Sequence, residues 1–382
     1  MREMSYWERE SVFHQNNVAI LGAGIVGLSA AIELRNKLPD ARIVVLDRSI
    51  IPYGASTRNA GFVCFGSISE LLETTRFLGS EDKTFAIVEK RIRGLQRLLH
   101  TVGSLTIDYE PAGGFEIFRA EEEQLYMQCL EVLNHYNDRL NALLGIRKVY
   151  RCVDSRIKEF GFKGVQHIIE NRTEGLLNTG KLFRRLYTLA TERGVQIFGG
   201  VEVETYEETA NEVLVHTKQA TFRTEKLLIA TNGFARRFLP QEVTPARAQV
   251  LITKPLYDGV PFRGGFHLDQ GYYYFRNVED RVMLGGGRNL DFHGETTDKM
   301  GTSQIIQAAL EQLLRETILP GRQFQVDMRW SGIMAVGSTK SDPPIVRQLS
   351  GRVFAAVRMG TMGVAIGNLI GAEAAEMIGS SL

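Results

Sequence analysis

The chain has little cysteine, no metal-spaced histidine and almost no net charge. Cys64, Cys129 and Cys152 are its only cysteines among 382 residues. They are too few and too far apart for a disulfide framework or a paired-cysteine site, which fits a reducing cytoplasm. The seven histidines never fall at metal-ligand spacing, so no metal site is expected. Lys plus Arg number 45 against 44 for Asp plus Glu, a net +1, and nothing electrostatic favours nucleic acid or an anionic membrane. A secretory signal is also missing from Met1–Gln15, where Arg2, Glu3, Glu8, Arg9 and Glu10 leave no apolar core. With Ser5 and Glu8 spaced as a capping box, this segment reads as a short helix. The most apolar stretch, 353–378, is broken by Arg358, Glu373, Glu376 and several glycines. It reads as a buried strand and helix, with no membrane span. No internal repeat or low-complexity linker occurs.

What is present begins with Val18-Ala19-Ile20-Leu21-Gly22-Ala23-Gly24-Ile25-Val26-Gly27. A continuous apolar run suits a buried parallel strand, and Ile25–Leu34 is apolar or small at helical spacing with no proline. Between them, Gly22 permits a tight turn, Gly24 lets backbone approach a pyrophosphate, and Gly27 lets the helix pack on the strand. The spacing alone is weak: 38 glycines in 382 residues give on the order of 0.4 chance matches. Context strengthens it, because the next strand, 42–46, ends in Asp47, twenty residues beyond Gly27. A carboxylate there can accept from both ribose hydroxyls of a dinucleotide.

The length predicts two or three domains, and 44% apolar composition is ample for more than one core. Periodicity predicts helices near 82–101, 121–144, 181–193 and 304–317, separated by short strands. Strands are expected at 195–198, 202–207, 212–216 and 226–230, then, in an antiparallel sheet, at 248–254, 272–276 and 281–284. A strand at 352–357 leads through Met359-Gly360-Thr361-Met362-Gly363 into a small-residue helix reaching Ile378. Glycine turns before helices at both ends of the chain suggest one cofactor domain assembled from distant segments.

Five marks in order resemble one family across almost the whole chain. They are Gly22-x-Gly24-x-x-Gly27 with Asp47, Ala55-Ser56-Thr57-Arg58-Asn59-Ala60-Gly61, Gly194-Val195-Gln196-Ile197 leading to Val203, Ala230-Thr231-Asn232-Gly233, and Arg358-Met359-Gly360-Thr361-Met362-Gly363. The chain resembles the D-amino-acid oxidase and glycine oxidase type of FAD-dependent oxidoreductases, a group that includes sarcosine oxidases and γ-glutamylputrescine oxidoreductase. The resemblance implies an α/β with α+β architecture. A discontinuous Rossmann-type FAD-binding domain would comprise 1–103, 168–238 and 336–382. A substrate domain on a mixed, largely antiparallel sheet would comprise 104–167 and 239–335.

The resemblance also implies a non-covalent FAD site. Its first part is Gly22, Ala23, Gly24, Ile25, Val26, Gly27, Asp47 and Arg48. The second segment supplies hydroxyls from Ser56 and Thr57, charge from Arg58, a loop pinned by Asn59, and close backbone at Ala60 and Gly61. Val203 meets the adenine, with Ala230, Thr231, Asn232 and Gly233 near the same end. Arg358, Met359, Gly360, Thr361, Met362, Gly363 and Val364 return beneath the flavin, where the helix start offers roughly half a positive charge. Ala365 stands where the sarcosine-oxidase branch has a lysine, which puts weight on the helix dipole and on Arg358.

The implied reaction is oxidation of a small amine's C–N bond: hydride passes from the α-carbon to flavin N5 and the imine is hydrolysed. No obligatory acid or base is assigned. Oxygen or another acceptor takes the electrons, and Met283 falls near the lysine that assists oxygen reduction in sarcosine oxidases. A period of two places Tyr272, Tyr274 and Arg276 on one face as candidates for holding the substrate, Arg276 by a bidentate grip on an acidic group. His267, Arg247 and Arg288 are lesser candidates. After Trp330-Ser331-Gly332, where amino-acid oxidases commonly place a carboxylate-binding arginine, this chain reads Ile333-Met334-Ala335. That favours an amine with its acidic group elsewhere. The last eighty residues contain no cysteine or histidine for covalent attachment, and Cys64 reads as a small apolar residue. The alternatives are a flavin-dependent 2-hydroxy-acid dehydrogenase and a flavin-binding protein without turnover.

Overall fold

Apolar side chains on both faces of Asn16–Leu21 put this strand in the middle of an eight-stranded sheet. The computed structural model describes residues 5–12, 15–339 and 342–382. The sheet runs in the order Ile345–Gln348, Val353–Val357, Thr221–Ile229, Asn16–Leu21, Ile43–Asp47, Gln196–Gly199. Pairing is parallel from Val353–Val357 across to Gln196–Gly199, and antiparallel at the Ile345–Gln348 edge. The hairpin Val203–Glu208 and Val213–Thr217 joins through Thr221–Ile229. Three distant parts of the chain therefore share one sheet. The parallel centre, with Ile25–Lys37, Thr179–Glu192 and Gly363–Gly379 packed on one face and the hairpin Val203–Glu208/Val213–Thr217 on the other, is the Rossmann-type arrangement expected of the cofactor domain.

The helices Ile25–Lys37 and Gly363–Gly379 cross each other closely. A Cβ on Gly371 would lie 2.6 Å from the Val26 carbonyl oxygen and 2.8 Å from the Ala30 nitrogen. Only glycine allows this approach. The buried Asn368 amide donates to the Ser29 hydroxyl at 3.0 Å across the same crossing, which satisfies both polar groups where water is absent. The first and last segments are thereby locked together.

A second eight-stranded sheet runs Val326–Val336, Thr244–Thr253, Arg281–Gly286, Tyr273–Val278, Gly265–Leu268, Gly114–Arg119, Val165–Asn171, Tyr150–Cys152. It is antiparallel except where Gly265–Leu268 runs parallel to Gly114–Arg119, matching the expected mixed sheet. One face buries phenylalanines, with Phe266 stacked on Phe275 at 4.7 Å and Phe115 on Phe266 at 4.9 Å. Each such ring contributes about 1.5–3 kcal/mol by leaving water. Because side chains alternate, His267, Tyr274 and Arg276 go to the opposite face, toward the first sheet. The strand Val165–Asn171 runs across the expected break at 167/168 and pairs throughout with Gly114–Arg119. Residues up to Asn171 therefore stay with the second sheet.

The expected helices occur at Glu81–Val102, Glu123–Leu144, Thr179–Glu192 and Gln304–Leu313, the last continuing as a π-turn to Ile318. Tyr6–Ser11 is helical with the Ser5/Glu8 capping box formed; Met1–Met4, Phe13 and His14 of that segment lie outside the described residues. Periodicity missed the helix Ile68–Leu78, although Ser67 caps it by accepting from the Glu70 amide. That Ser-x-x-Glu spacing was its available signal. Among the described residues no helix is long and apolar enough to cross a membrane.

Candidate active site

The turn after Asn16–Leu21 is built as the glycines require. Gly22 has φ +101°, and a Cβ there would sit 2.9 Å from the Ala230 carbonyl oxygen. A Cβ on Gly27 would overlap the Gly22 carbonyl oxygen. Gly24 begins the helix without a side-chain cap. Ser56 Oγ accepts from the Ile25 amide at 2.9 Å, leaving its own proton to donate. The Asp47 carboxylate accepts from the Ala23 amide through one oxygen and from the Ser49 amide through the other, both at 2.9 Å. An ionised carboxylate has about four acceptor positions, so two remain for hydroxyl donors.

From this turn a cavity of about 1560 Å³ runs between the two sheets. It exceeds the ~300–1,000 Å³ of a single-ligand pocket and has room for a dinucleotide together with a substrate. Gly22, Gly24, Ile25, Val26, Asp47, Arg48, Val203, Ala230, Thr231 and Asn232 line one end. Arg48 lies 3.6 Å over the Phe234 ring. The buried Thr231 hydroxyl has no hydrogen-bond partner, a group that a bound molecule would satisfy. Ser56, Arg58, Asn59, Ala60 and Gly61 line the middle. Asn59 pins its own loop, donating to the Ala55 and Ser56 carbonyls at 3.1 Å and accepting from the Gly61 amide at 2.8 Å. Met359, Gly360, Thr361, Met362, Gly363, Val364 and Ala365 line the far end, where the helix starting at Gly363 has no side-chain cap. A polar cradle, an orphaned hydroxyl and an uncapped helix start along one channel fit FAD.

Several expected groups turn out of the channel. Ala23 and Gly27 form the turn but do not line the cavity, and Gly233 packs on Val326–Val336, where a Cβ would lie 2.5 Å from the Met334 carbonyl oxygen. The Thr57 hydroxyl is corrected: it donates inward to the Pro52 and Gly54 carbonyls at 3.0 and 3.2 Å. The Arg358 guanidinium is corrected as well. Its Nη1 donates to the Glu242 carbonyl at 2.9 Å and its Nη2 to Pro343 at 2.8 Å, so it supplies no charge to the channel. Arg358 has φ +66°, and the backbone reversal at this left-handed residue turns the side chain outward.

Arg276 is the largest correction. Its Nη1 donates to the carbonyls of Ala60 at 3.0 Å and Leu177 at 2.9 Å, and its Nε to Asn277 at 3.0 Å. It holds backbone and does not line the cavity. Burial also lowers its pKa, to about 10. Arg247 is committed to the fully buried Glu295 through bonds of 2.8 and 2.7 Å. Met283 also stays off the cavity.

The groups that do face the cavity on the second sheet are Tyr272, Tyr274, His267 and Arg288. Tyr274 packs edge-on to Phe62 at 5.8 Å, and Phe62 meets the His267 ring at 5.0 Å. Burial pushes the Tyr274 hydroxyl up to about 12 and the His267 imidazole down to about 4. Both are neutral hydrogen-bonding groups near pH 7. Behind His267, its partner across the parallel strands is Glu116, a buried carboxyl bonded to the Ser69 hydroxyl and amide. Burial pushes it to about 7, and nearby Glu174 to about 8. Cys64 also lines the cavity, with its thiol pushed up by burial and by Glu174 and Glu70. The helix Ile68–Leu78, missed by periodicity, adds Glu70, Glu73, Thr74 and Phe77.

The chain matches the family described as "FAD dependent oxidoreductase" over residues 17–377. It is similar to the "Probable oxidoreductase OrdL" of Haemophilus influenzae, 22% identical over 386 aligned residues that cover 95% of this chain and 82% of that protein. Many solved structures share the fold. The L-proline dehydrogenase from P. horikoshii superposes with TM-score 0.75 at 16% identity, covering 96% of this chain and 94% of that one. The glycine oxidase from Geobacillus kaustophilus does so with TM-score 0.74 at 18% identity, covering 96% and 95%.

Proposed function

The chain belongs to the FAD dependent oxidoreductase family, and from that premise we propose that it oxidises the C–N bond of a small amine or amino acid. One observation carries this reading. The channel that starts at the Gly22 turn and ends at the uncapped helix start of Gly363 also has Tyr272, Tyr274 and His267 in its wall. Bound FAD would supply a hydride acceptor at N5, yielding an imine that water hydrolyses.

The chain's own residues bind, orient and shield. Gly22–Gly27, Asp47, Ser56 and Thr231 would hold the dinucleotide, and the amides at Gly363 and Val364 would favour negative charge at the far end by the helix dipole. Tyr274 keeps its proton and would donate it as a hydrogen bond to a bound molecule. His267 stays neutral, with one ring nitrogen donating and one accepting. Phe62, Ile333 and Met334 supply the apolar wall that excludes water while a C–H is positioned. The protonated Cys64 favours non-covalent FAD. Oxygen or another small acceptor would take the electrons.

The purified protein should show flavin absorbance near ~450 nm. Anaerobic mixing with a panel of amines and amino acids should bleach it. Bleaching by 2-hydroxy acids but by no amine would replace this reading with hydroxy-acid oxidation, and no bleaching at all would leave a flavoprotein without turnover.

A further inference from the structure

The arginines and lysines along the channel are mostly spoken for. Arg91 pairs with Glu70 and Lys90 with Glu373, both at 2.8 Å, and Arg237 with Glu202 at 3.2 Å. Arg58 donates to the Ser331 carbonyl at 2.8 Å and lies 3.7 Å over Tyr53. Arg288 differs. Its Nε is buried with no hydrogen-bond partner, and its Nη2 reaches only the Thr296 hydroxyl, at 3.4 Å. Among the described residues no carboxylate forms an ion pair with it. The nearby acid, Glu295, is held by Arg247 and by the Gln249 amide at 2.9 Å and makes no hydrogen bond to Arg288. Asp298 also lines the cavity but makes no bond to Arg288.

The Nε–Nη2 edge of a guanidinium is the edge that matches a carboxylate with two parallel bonds. Leaving a buried donor unpaired costs about 1–3 kcal/mol, so the free edge is a standing cost that a ligand would remove. Aromatic packing aims it: Arg288 lies 5.0 Å over Phe292, whose ring meets Tyr272 edge-on at 6.1 Å. The Gly287 amide donates to the Tyr272 carbonyl at 3.0 Å, which ties this turn to the tyrosine strand. Tyr272 ends the turn that immediately precedes the strand Tyr273–Val278, two residues before Tyr274.

Building on the amine reading, we propose that Arg288 is the carboxylate-binding subsite of the substrate cavity and selects amines carrying an acidic group several bonds from the oxidised nitrogen. With no arginine near Ile333 and Arg276 committed to backbone, Arg288 is the cavity-lining arginine joined to the tyrosine turn through the Gly287–Tyr272 hydrogen bond.

The test uses the purified flavoprotein, with glutarate and its neutral diamide glutaramide as binding probes followed by calorimetry. The wild type should bind glutarate at least tenfold more tightly than glutaramide, and Arg288→Met should abolish that difference while Arg288→Lys keeps part of it. Flavin content and melting curves establish that each variant is folded. Equal glutarate binding by wild type and Arg288→Met overturns the proposal, whatever turnover shows. In turnover, the preference for 5-aminopentanoate over pentylamine should fall at least tenfold in Arg288→Met. An unchanged preference also overturns it. Glutarate selectivity that depends on Arg288 without oxidation of any amine would sustain the anion subsite and refute the amine reading.

Discussion

The Arg276 Nη1 lies 3.0 Å from the Ala60 carbonyl oxygen and 2.9 Å from that of Leu177, so this side chain fastens the mid-channel loop to the second sheet. Hydrogen bonds from a charged donor contribute about 1.5–3 kcal/mol each. Arg276→Met should therefore lower stability by on the order of 3 kcal/mol or more and weaken flavin retention. Urea denaturation and flavin content check this. A variant with wild-type stability that has lost only its selectivity for acidic substrates would restore the sequence-based reading of Arg276 as a substrate grip.

Gly371→Ala should damage the crossing between the first and last helices, because its Cβ would meet backbone atoms of Val26 and Ala30 at 2.6 and 2.8 Å. Overpacking of this kind costs about 1–3 kcal/mol, and flavin content should fall with stability since both glycine turns hang from these helices. Gly180→Ala is the contrast. This exposed residue in Thr179–Glu192 has only the Asn178 side chain near a built Cβ, at 3.4 Å. Alanine there should stabilise by roughly 0.5 kcal/mol. Thermal melts of the two variants should move in opposite directions.

The buried carboxyls make stability fall as pH rises. Glu116 and Glu174 are raised to about 7 and about 8 in the folded chain, burial being the main cause. In the unfolded chain they return to the ordinary carboxylate range near ~4.3. Between those values the folded state binds more protons, so their stabilisation is complete below the unfolded value and is lost as pH rises through the folded ones. Glu174→Gln retains an oxygen to accept from the Phe65 and Gly66 amides, bonds of 3.0 and 3.3 Å. It should raise stability at pH 8 by a few kcal/mol, on the order of the shift itself, and flatten the profile between pH 5 and 8. Urea midpoints across that range decide it, and a slope identical to wild type would contradict the assignment.

Cys64→Ala should leave the flavin content and its spectrum near wild type. The thiol faces the channel but is held protonated by burial and by Glu174 and Glu70, so it is a poor nucleophile. Acid precipitation should release the yellow chromophore into solution from the wild type and the variant alike. A chromophore that stays with the wild-type pellet and leaves the Cys64→Ala pellet would show attachment at this residue.

Local constraints were legible. The positive φ of Gly22, the close contact at Gly27 and the uncapped helix at Gly363 all follow from residues a few positions apart, where glycine geometry and helix ends leave few choices. Period-two alternation likewise placed Tyr274 and Arg276 on one face of the second sheet and put the phenylalanines on the other. The cap at Ser67 was equally local, but periodicity passed over it because the following helix is amphipathic over only eleven residues.

By itself, then, the order of residues determined the cradle, the return of the C-terminal turn, the two sheets and the family they belong to. It could not determine what a long side chain touches. Arg276, Arg288 and Arg358 are alike as letters, each carrying five donors on a flexible stem. Only tertiary structure brought the Ala60 and Leu177 carbonyls to Arg276, those of Glu242 and Pro343 to Arg358, and left the Arg288 Nε facing no partner. The reason is physical: a buried guanidinium takes whichever acceptors the distant chain presents, and those acceptors are mostly backbone, which carries no sequence signature.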